Sequence, residues 1–195
     1  IGNTYQEGLR LTNNFNRNTV SVSLNPSFFD NHLKFNVNAN YTNQKNRFAD
    51  GVEGAAIRFD PTQPIYDASN PSGFFEYVTG YNNGDAVYAN PSIANPVAQL
   101  LQTMDRGVNN RFYGNFQLDY KFHFLPELRA VVNLGYDRST GSGSNILSDQ
   151  SINGFRTAIN TPFLGSASYY TSERKNLLLD AYFVYNKELG NVNVE

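Results

Sequence analysis

The chain has 195 residues, of which only 16% are charged, and a net charge of −2 at pH 7. Its lysines and arginines are scattered singly, so it lacks the basic stripe of a nucleic-acid-binding protein, and we exclude nucleic acid as a partner. It has no cysteine for a disulfide framework or a thiolate metal site, and no apolar run of about 18 residues that would predict a transmembrane helix.

Alternating apolar and polar residues predict five β-strands, which in chain order are 17–25, 32–42, 111–122, 128–137 and 176–186. Because successive side chains of a strand point to opposite faces, each predicted strand has one apolar and one polar face. In the third of them, Phe112 and Phe116 alternate with Asn115 and Asp119. Each segment has about the length that a tilted strand needs to cross a bilayer.

Aromatic residues gather at the two ends of these predicted strands. Tyr41, Phe112 and Tyr136 lie at one end, and Phe28, Phe29, Phe122 and Phe124 lie at the other. Phe112 and Phe122 are ten positions apart, which spans about 25 Å along the membrane normal if the strand is tilted by about 40°. Since this is the height of the apolar band of an outer-membrane barrel, we predict two aromatic girdles at the membrane interfaces.

The connections between the strands alternate between short and long. Residues 25–32, 123–127 and 187–191 form short connections, whereas 43–110 and 138–175 are long. Outer-membrane barrels have short periplasmic turns and long extracellular loops. We therefore predict an all-β fold, a segment of an antiparallel transmembrane β-barrel with 43–110 and 138–175 as extracellular loops. Since the smallest such barrels have about eight strands, we expect the chain to be part of a larger barrel.

A soluble antiparallel β-sandwich is the alternative interpretation, because a sheet with one wet face also produces alternation. Such a domain would be a carbohydrate-binding module that uses its aromatic side chains to stack on sugars. Solubility distinguishes the two, since the sandwich would purify without detergent.

The sequence predicts no catalytic residue, no metal site and no cofactor. His32 and His123, the only histidines, both lie in short connections, away from the long loops where catalytic groups would converge on one rim. The acidic residues of loop 43–110 lack the spacing of a calcium-binding loop. They are Asp50, Glu53, Asp60, Asp67, Glu76 and Asp85. We interpret them as solvated turn residues.

The long loop 43–110 is rich in turn-forming and aromatic residues, which indicates irregular but ordered structure. Asn95 followed by Pro96 predicts a short helix over 96–101 with Asn95 as its N-cap. Aromatic side chains of this loop form a candidate contact surface for a ligand or a lid, because aromatic faces stack on sugars and tyrosine is favoured at interfaces. These residues are Phe74, Phe75, Tyr77, Tyr81 and Tyr88. Packing within the loop explains them equally well.

The polar faces of the predicted strands supply a second candidate set. In a barrel these side chains face the lumen or the plug that fills it. The set comprises Lys34, Asn36, Asn38, Asn115, Asp119, Lys121, Arg129 and Asn133. Alternation indicates the direction in which they point and does not identify the solute.

Several phrases of the sequence resemble the SusC/RagA-like importers. They are VSLNPSFF at 22–29, FDPTQPIYD at 59–67, NPVAQL at 95–100 and FYGNFQLDYKFHFLPELRAVVNLGYD at 112–137. The resemblance implies a 22-stranded barrel with a plug, inserted in outer-membrane lipid. It also implies uptake of glycans or peptides together with a SusD-like surface lipoprotein, using energy passed from TonB to the plug. We expect the plug to lie outside this chain, and the protein to be a transporter and not an enzyme.

Overall fold

The computed structural model describes residues 1–49, 51–82, 85–89, 93–151, 164–189 and 192–194. Its main sheet contains β1 Gly2–Glu7, β2 Asn14–Leu24, β3 Ser27–Phe28, β4 Leu33–Phe48, β7 Thr103–Lys121, β8 Leu128–Leu147 and β9 Ser166–Tyr185. Between β4 and β7 lie α1 Glu53–Arg58, β5 Val78–Asn82, β6 Asp85–Tyr88 and α2 Pro96–Gln102. The chain ends with the hairpin β10 Lys187–Leu189 and β11 Val192–Val194.

The main sheet is an antiparallel meander in the order β1-β2-β4-β7-β8-β9, with β3 paired to β4. Every residue of β7 has a partner in β8, from Thr103 opposite Leu147 to Lys121 opposite Arg129. This up-and-down order with uninterrupted register is the arrangement of strands in a barrel wall. The predicted all-β, antiparallel fold class is confirmed.

The strands are longer than the sequence predicts, and the predicted bounds of both long loops are wrong. β4 continues to Phe48 and β7 begins at Thr103, while β8 continues to Leu147 and β9 begins at Ser166. The segments between these strands are therefore 49–102, which holds the two short helices and the β5–β6 hairpin, and 148–165. Beyond the apolar stretch both faces of the sheet carry polar residues, so the alternation disappears although backbone pairing continues.

Several short elements were also missed. β1 pairs with β2 although its sequence has no clear alternation. Lys187, predicted to start a short connection over 187–191, instead starts β10, which pairs with β11. β10 and β11 have three residues each, which is too short for a periodicity argument.

The sheet has one apolar and one polar face, and no second sheet of similar size accompanies it among the described residues. The two other sheets are two-stranded hairpins, β5–β6 and β10–β11. Apolar side chains on the apolar face stay exposed, with Leu177 at 81%, Leu179 at 69% and Phe183 at 70% exposure. A β-sandwich would bury this face under a second sheet. The alternative predicted from the sequence is therefore not supported.

The buried apolar side chains of the described residues are few. Val52, Ala98 and Leu100 belong to segment 49–102, and Val131 belongs to the sheet. No helix in the described ranges has the length and apolar character needed to cross a membrane. The small core under the irregular segment holds that segment together, whereas the sheet presents its apolar residues outward.

Candidate functional site

The apolar face is a continuous band across five strands. Strand register places one residue of each strand side by side in its central row: Leu24, Val37, Phe116, Leu134 and Leu179. At one boundary Tyr41 lies opposite Phe112, and the Phe112 ring packs 5.9 Å from the ring of Tyr136. At the other boundary, Phe122 and Phe124 have ring centroids 5.2 Å apart. The band thus ends in aromatic residues on both sides, as a lipid-facing wall does.

The polar face holds all eight residues predicted from alternation. The register pairs Lys34 with Asp119, Asn36 with Gln117 and then Asn133, Asn38 with Asn115, and Lys121 with Arg129. Since these partners share one side of the pleat, their side chains all project from the polar face.

Amide side chains on this face form a hydrogen-bonded ladder that runs along β4 and crosses to β7. Asn38 Nδ2 donates to Asn36 Oδ1 at 2.6 Å and to Asn115 Oδ1 at 3.2 Å. Arg129 Nη1 lies 3.1 Å from Asp119 Oδ2. The wall therefore presents neutral donors and acceptors between a few ion pairs.

A hollow of about 490 Å³ lies on the polar face at the middle of the sheet. Its lining includes Arg111, Tyr113 and Asp137. Arg111 forms a bidentate ion pair with Asp137, in which Nε donates to Oδ1 at 3.0 Å and Nη2 donates to Oδ2 at 2.9 Å. Its guanidinium also lies 4.9 Å from the centroid of the Tyr113 ring. The predicted set omitted these three residues, although strand parity alone puts them on the polar face.

A glycine-lined surface lies further along the polar face, towards segment 49–102. Gly107 and Gly143 face each other across β7 and β8, and Tyr170 of β9 is the partner of Gly143. A Cβ atom on Gly143 would lie 2.3 Å from the Tyr170 ring, and one on Gly107 would lie 3.1 Å from its Oη. The glycines therefore allow the tyrosine ring to lie across two neighbouring strands. No signal in the strand pattern marks this contact.

Segment 49–102 is organised around Asn95, whose exposure is 1%. As predicted, Asn95 caps α2, accepting at Oδ1 from the backbone N–H of Val97 at 3.0 Å and of Ala98 at 3.2 Å. Its Nδ2 donates to the carbonyl of Ile65 at 2.8 Å and of Phe75 at 3.2 Å. Its backbone N–H donates to the buried carboxylate of Glu76. One side chain thus joins three stretches of the loop.

The predicted aromatic contact surface is divided by the structure. Phe75 and Tyr77 pack with Phe59, at ring-centroid distances of 5.4 to 6.2 Å, in a half-buried cluster inside the loop. Phe74 packs instead against Tyr66 at 5.3 Å, and Tyr66 is 62% exposed. The sequence prediction omitted Tyr66, which the isolated backbone bridge to Phe74 brings beside it.

For two residues of that predicted contact surface the structure describes the backbone alone. Tyr81 lies in β5, paired with Ala86, and Tyr88 lies in β6, paired with Val78. Their side chains lie outside the described residues, so their place relative to Phe74 stays a prediction.

Two acidic residues of the loop stabilise turns as predicted, whereas the interpretation as solvated turn residues is wrong for Glu76, which is buried, and for Glu53, which begins α1. Asp60 Oδ1 accepts from the N–H of Thr62 at 2.9 Å and from its hydroxyl at 2.7 Å, which lowers the pKa of Asp60. Asp67 accepts in the same way from Ser69, with its pKa also lowered. Glu53 lies 2.6 Å from Nε of Arg10, and this contact lowers the pKa of Glu53. Asp50 and the Asp85 side chain lie outside the described residues.

Among the residues that the structure describes, no three His, Cys, Asp or Glu side chains lie together as metal ligands. The two histidines stack on each other, with ring centroids 4.1 Å apart. His32 immediately precedes β4 and His123 follows β7, so both lie at the end of these strands opposite to segment 49–102.

Comparison with known proteins places this geometry in context. No protein-family model matches the chain. The TonB-dependent receptor SusC of Bacteroides thetaiotaomicron is 39% identical over 201 aligned residues, covering 97% of this chain and 19% of SusC. The TonB-dependent receptor P26 of Formosa agariphila is 31% identical over 136 residues, covering 69% of this chain and 12% of P26. The chain thus spans less than a fifth of the length of these curated relatives.

Proposed function

Since the chain belongs to the SusC-like TonB-dependent receptors, which are outer-membrane proteins, we propose that its sheet forms part of the wall of a nutrient importer. The complete importer takes up glycans or peptides together with a SusD-like surface lipoprotein. Energy for uptake comes from TonB and acts on a plug in another part of the receptor. The wall belongs to a barrel of 22 strands.

The observation that carries this proposal is the division of the sheet into two chemically different faces. The apolar face exposes leucine, valine and phenylalanine over five adjacent strands, which suits contact with lipid. The opposite face carries the amide ladder of Asn36, Asn38 and Asn115 and the Arg111–Asp137 pair. These groups face the lumen, where they contact water, plug or passing solute.

The proposed transport step is conformational and not catalytic. The relatives that match are named as receptors. The lumen-facing set Lys34, Asn36, Asn38, Asn115, Asp119, Lys121, Arg129 and Asn133 supplies hydrogen bonds that are individually weak and exchangeable with water. A wall of such groups lets a polar solute pass without being held.

Segments 49–102 and 148–165 form part of the extracellular mouth in this proposal. Within it, Tyr66, with the half-buried Phe74 packed against it, is the contact for nutrient or for the surface lipoprotein, because the Tyr66 ring is accessible. Phe75 and Tyr77 support that surface from within the loop. Tyr81 and Tyr88 remain proposed members of the same contact surface.

A growth experiment tests the function. A strain lacking the complete receptor is grown on a panel of oligosaccharides and oligopeptides as sole nutrient, beside the parent strain and a complemented strain. Loss of growth on one nutrient class, restored by complementation, is the expected result. The tagged receptor should also co-purify with a surface lipoprotein from detergent-solubilised outer membrane. Unchanged growth on every compound and purification without such a lipoprotein would contradict the proposal.

A further inference from the structure

Basic residues continue along the apolar face beyond its aromatic boundary. These residues, here named the basic belt, are Lys45, Arg47, Arg106, Arg138 and Lys175. Arg138 lies opposite Phe112 and Lys175 lies opposite Arg138, so these two stand directly at the boundary. Strand parity puts all five on the same side of the sheet as the lipid-facing leucines.

The centre of the basic belt is a pair of arginines that directly oppose each other. Arg47 of β4 and Arg106 of β7 are register partners. Like charges directly opposite each other destabilise a sheet, since their Cβ atoms lie only about 4.5 to 5.5 Å apart. Among the described residues neither guanidinium has an acidic partner within ion-pair distance, and Nε of Arg47 is buried without a hydrogen-bond partner.

Arginines of the polar face are arranged differently. Arg111 pairs with Asp137, and Arg17 Nε donates to Gln44 Oε1 at 2.9 Å. On the apolar side Glu173 is shared by two residues of the belt, Arg138 at 2.8 Å and Lys175 at 3.2 Å. The Arg47–Arg106 pair therefore lacks the neutralising neighbour that the sheet supplies elsewhere.

We propose that the basic belt binds a phosphorylated glycolipid of the surrounding outer leaflet. Its lipid-proximal phosphate lies at Arg138 and Lys175, and an acidic group on its saccharide bridges Arg47 and Arg106. Guanidinium groups bind phosphate through two parallel hydrogen bonds, so an anion between two arginines removes their repulsion and satisfies the orphaned Nε.

The height of the basic belt selects this kind of lipid. Arg47 and Arg106 each lie six residues beyond the aromatic boundary at Tyr41 and Phe112. This corresponds to about 20 Å along the strand and about 15 Å along the membrane normal at a tilt of about 40°. The headgroup layer of an ordinary bilayer adds only about 5 to 8 Å on each side of the hydrocarbon. A phosphate of a simple phospholipid reaches Arg138 but does not reach Arg47.

The two ends of the basic belt lie on adjacent strands. Arg106 is opposite Ser144, six residues beyond Arg138, so Arg106 and Arg138 are about 20 Å apart along β7 and β8. A glycolipid whose saccharide extends over this length from its lipid-proximal phosphate contacts both ends of the belt. The lipid belongs to the outer leaflet because the basic belt lies at the end of the strands nearest segment 49–102, which the proposed function places on the extracellular side.

The test uses the complete receptor in neutral detergent and lipopolysaccharide that retains lipid A and a phosphorylated inner core. Native mass spectrometry counts the bound lipid and gives its apparent affinity. The Arg47→Gln/Arg106→Gln variant is compared with Lys34→Gln/Lys121→Gln, which removes the same charge from the polar face. We expect the first variant to bind at least about tenfold more weakly and the second to bind like the wild type.

Two further arms separate the possible sources of the anion. The same lipid, dephosphorylated chemically, should bind the wild type about tenfold more weakly or worse. Inorganic phosphate at the lipid's concentration should not displace the intact lipid. Because the arginine variant loses a like-charge contact, its unfolding temperature in lipid-free detergent should not fall.

Equal lipid binding by wild type and arginine variant would overturn the proposal. Equal binding of phosphorylated and dephosphorylated lipid would do so as well, since it would show attachment through the acyl chains alone. Displacement by equimolar phosphate would instead reveal a simple ion site. A similar loss in both double variants would show a nonspecific charge effect.

Discussion

The two faces of the sheet predict opposite responses to the same charge at adjacent positions. Leu134 occupies the central row of the apolar face, whereas Asn133 lies on the polar face opposite Asp180. Replacing each with lysine in the complete receptor places an ammonium group in lipid in one variant and in the lumen in the other. The two variants share charge, strand and depth.

The magnitude follows from the position of Leu134 within the band. Leu128, beside Phe122, and Arg138, opposite Phe112, mark the two edges of the band on β8. The nearer edge, at Arg138, is four residues from Leu134, which is about 13 Å along the strand and about 10 Å along the membrane normal. At this depth a lysine on the lipid face costs about 2 to 4 kcal/mol. The folded-to-unfolded ratio should fall about 30- to 700-fold for Leu134→Lys. Asn133→Lys should change the unfolding free energy by no more than about 0.5 kcal/mol.

The assay is denaturant unfolding of the receptor in phospholipid vesicles, followed by the change in gel mobility between folded and unfolded barrel. A lower midpoint for Leu134→Lys, with Asn133→Lys close to wild type, is expected. Repeating the comparison with Leu179→Lys and Asp180→Asn extends it to β9. Equal destabilisation by Leu134→Lys and Asn133→Lys would refute the assignment of the faces.

Three further predictions concern the polar face and the loop. Gly143→Val should displace the Tyr170 ring, since a Cβ there would lie 2.3 Å from it, and should raise the accessibility of Tyr170 to iodination, whereas Gly2→Val, whose Cβ would meet open space, should not. Asn95→Ala removes the α2 cap and two buried hydrogen bonds, so segment 49–102 should lose about 1 to 3 kcal/mol of local stability by hydrogen exchange, with Asn95→Asp retaining the cap alone. Because the pKa values of Asp60 and Asp67 are lowered in the fold, their contribution is present above the unfolded pKa and lost as pH falls through the folded one. Acidification from about pH 5 to about pH 3 should therefore speed proteolysis of this segment, and less so in Asp60→Asn/Asp67→Asn; an equal effect in the variant would contradict the turn assignment.

The membrane-crossing strands could be predicted from sequence because lipid and lumen impose different chemistry on alternate residues. All eight predicted polar-face residues share one face, and Asn95 caps α2 as its sequence context indicates. The prediction failed where that difference ends. Beyond Tyr41 and Phe112 both faces carry polar side chains, so pairing through Asn43 and Asn110 leaves no periodic trace.

The candidate contact residues were harder to predict because they depend on contacts between distant residues. Phe74 and Phe75 are neighbours in sequence, yet Phe75 packs inward with Phe59 and Phe74 pairs with the exposed Tyr66. Composition alone cannot separate them. The Arg47–Arg106 opposition likewise depends on register between strands that are separated by more than fifty residues in the sequence.

Site-directed spin labelling along β8 tests the central claim, that this sheet separates lipid from a polar lumen, most directly. The chain has no cysteine, so labels can be placed singly at 130 to 138 in the complete receptor after removal of any cysteine elsewhere. Residues 130, 132, 134 and 136 should be accessible to oxygen, which partitions into lipid. Labels at residues 131, 133, 135 and 137 should be accessible to a water-soluble nickel reagent where the lumen is open. All four labels should be protected from oxygen. Equal access of the nickel reagent to both sets, with no period of two, would contradict the account.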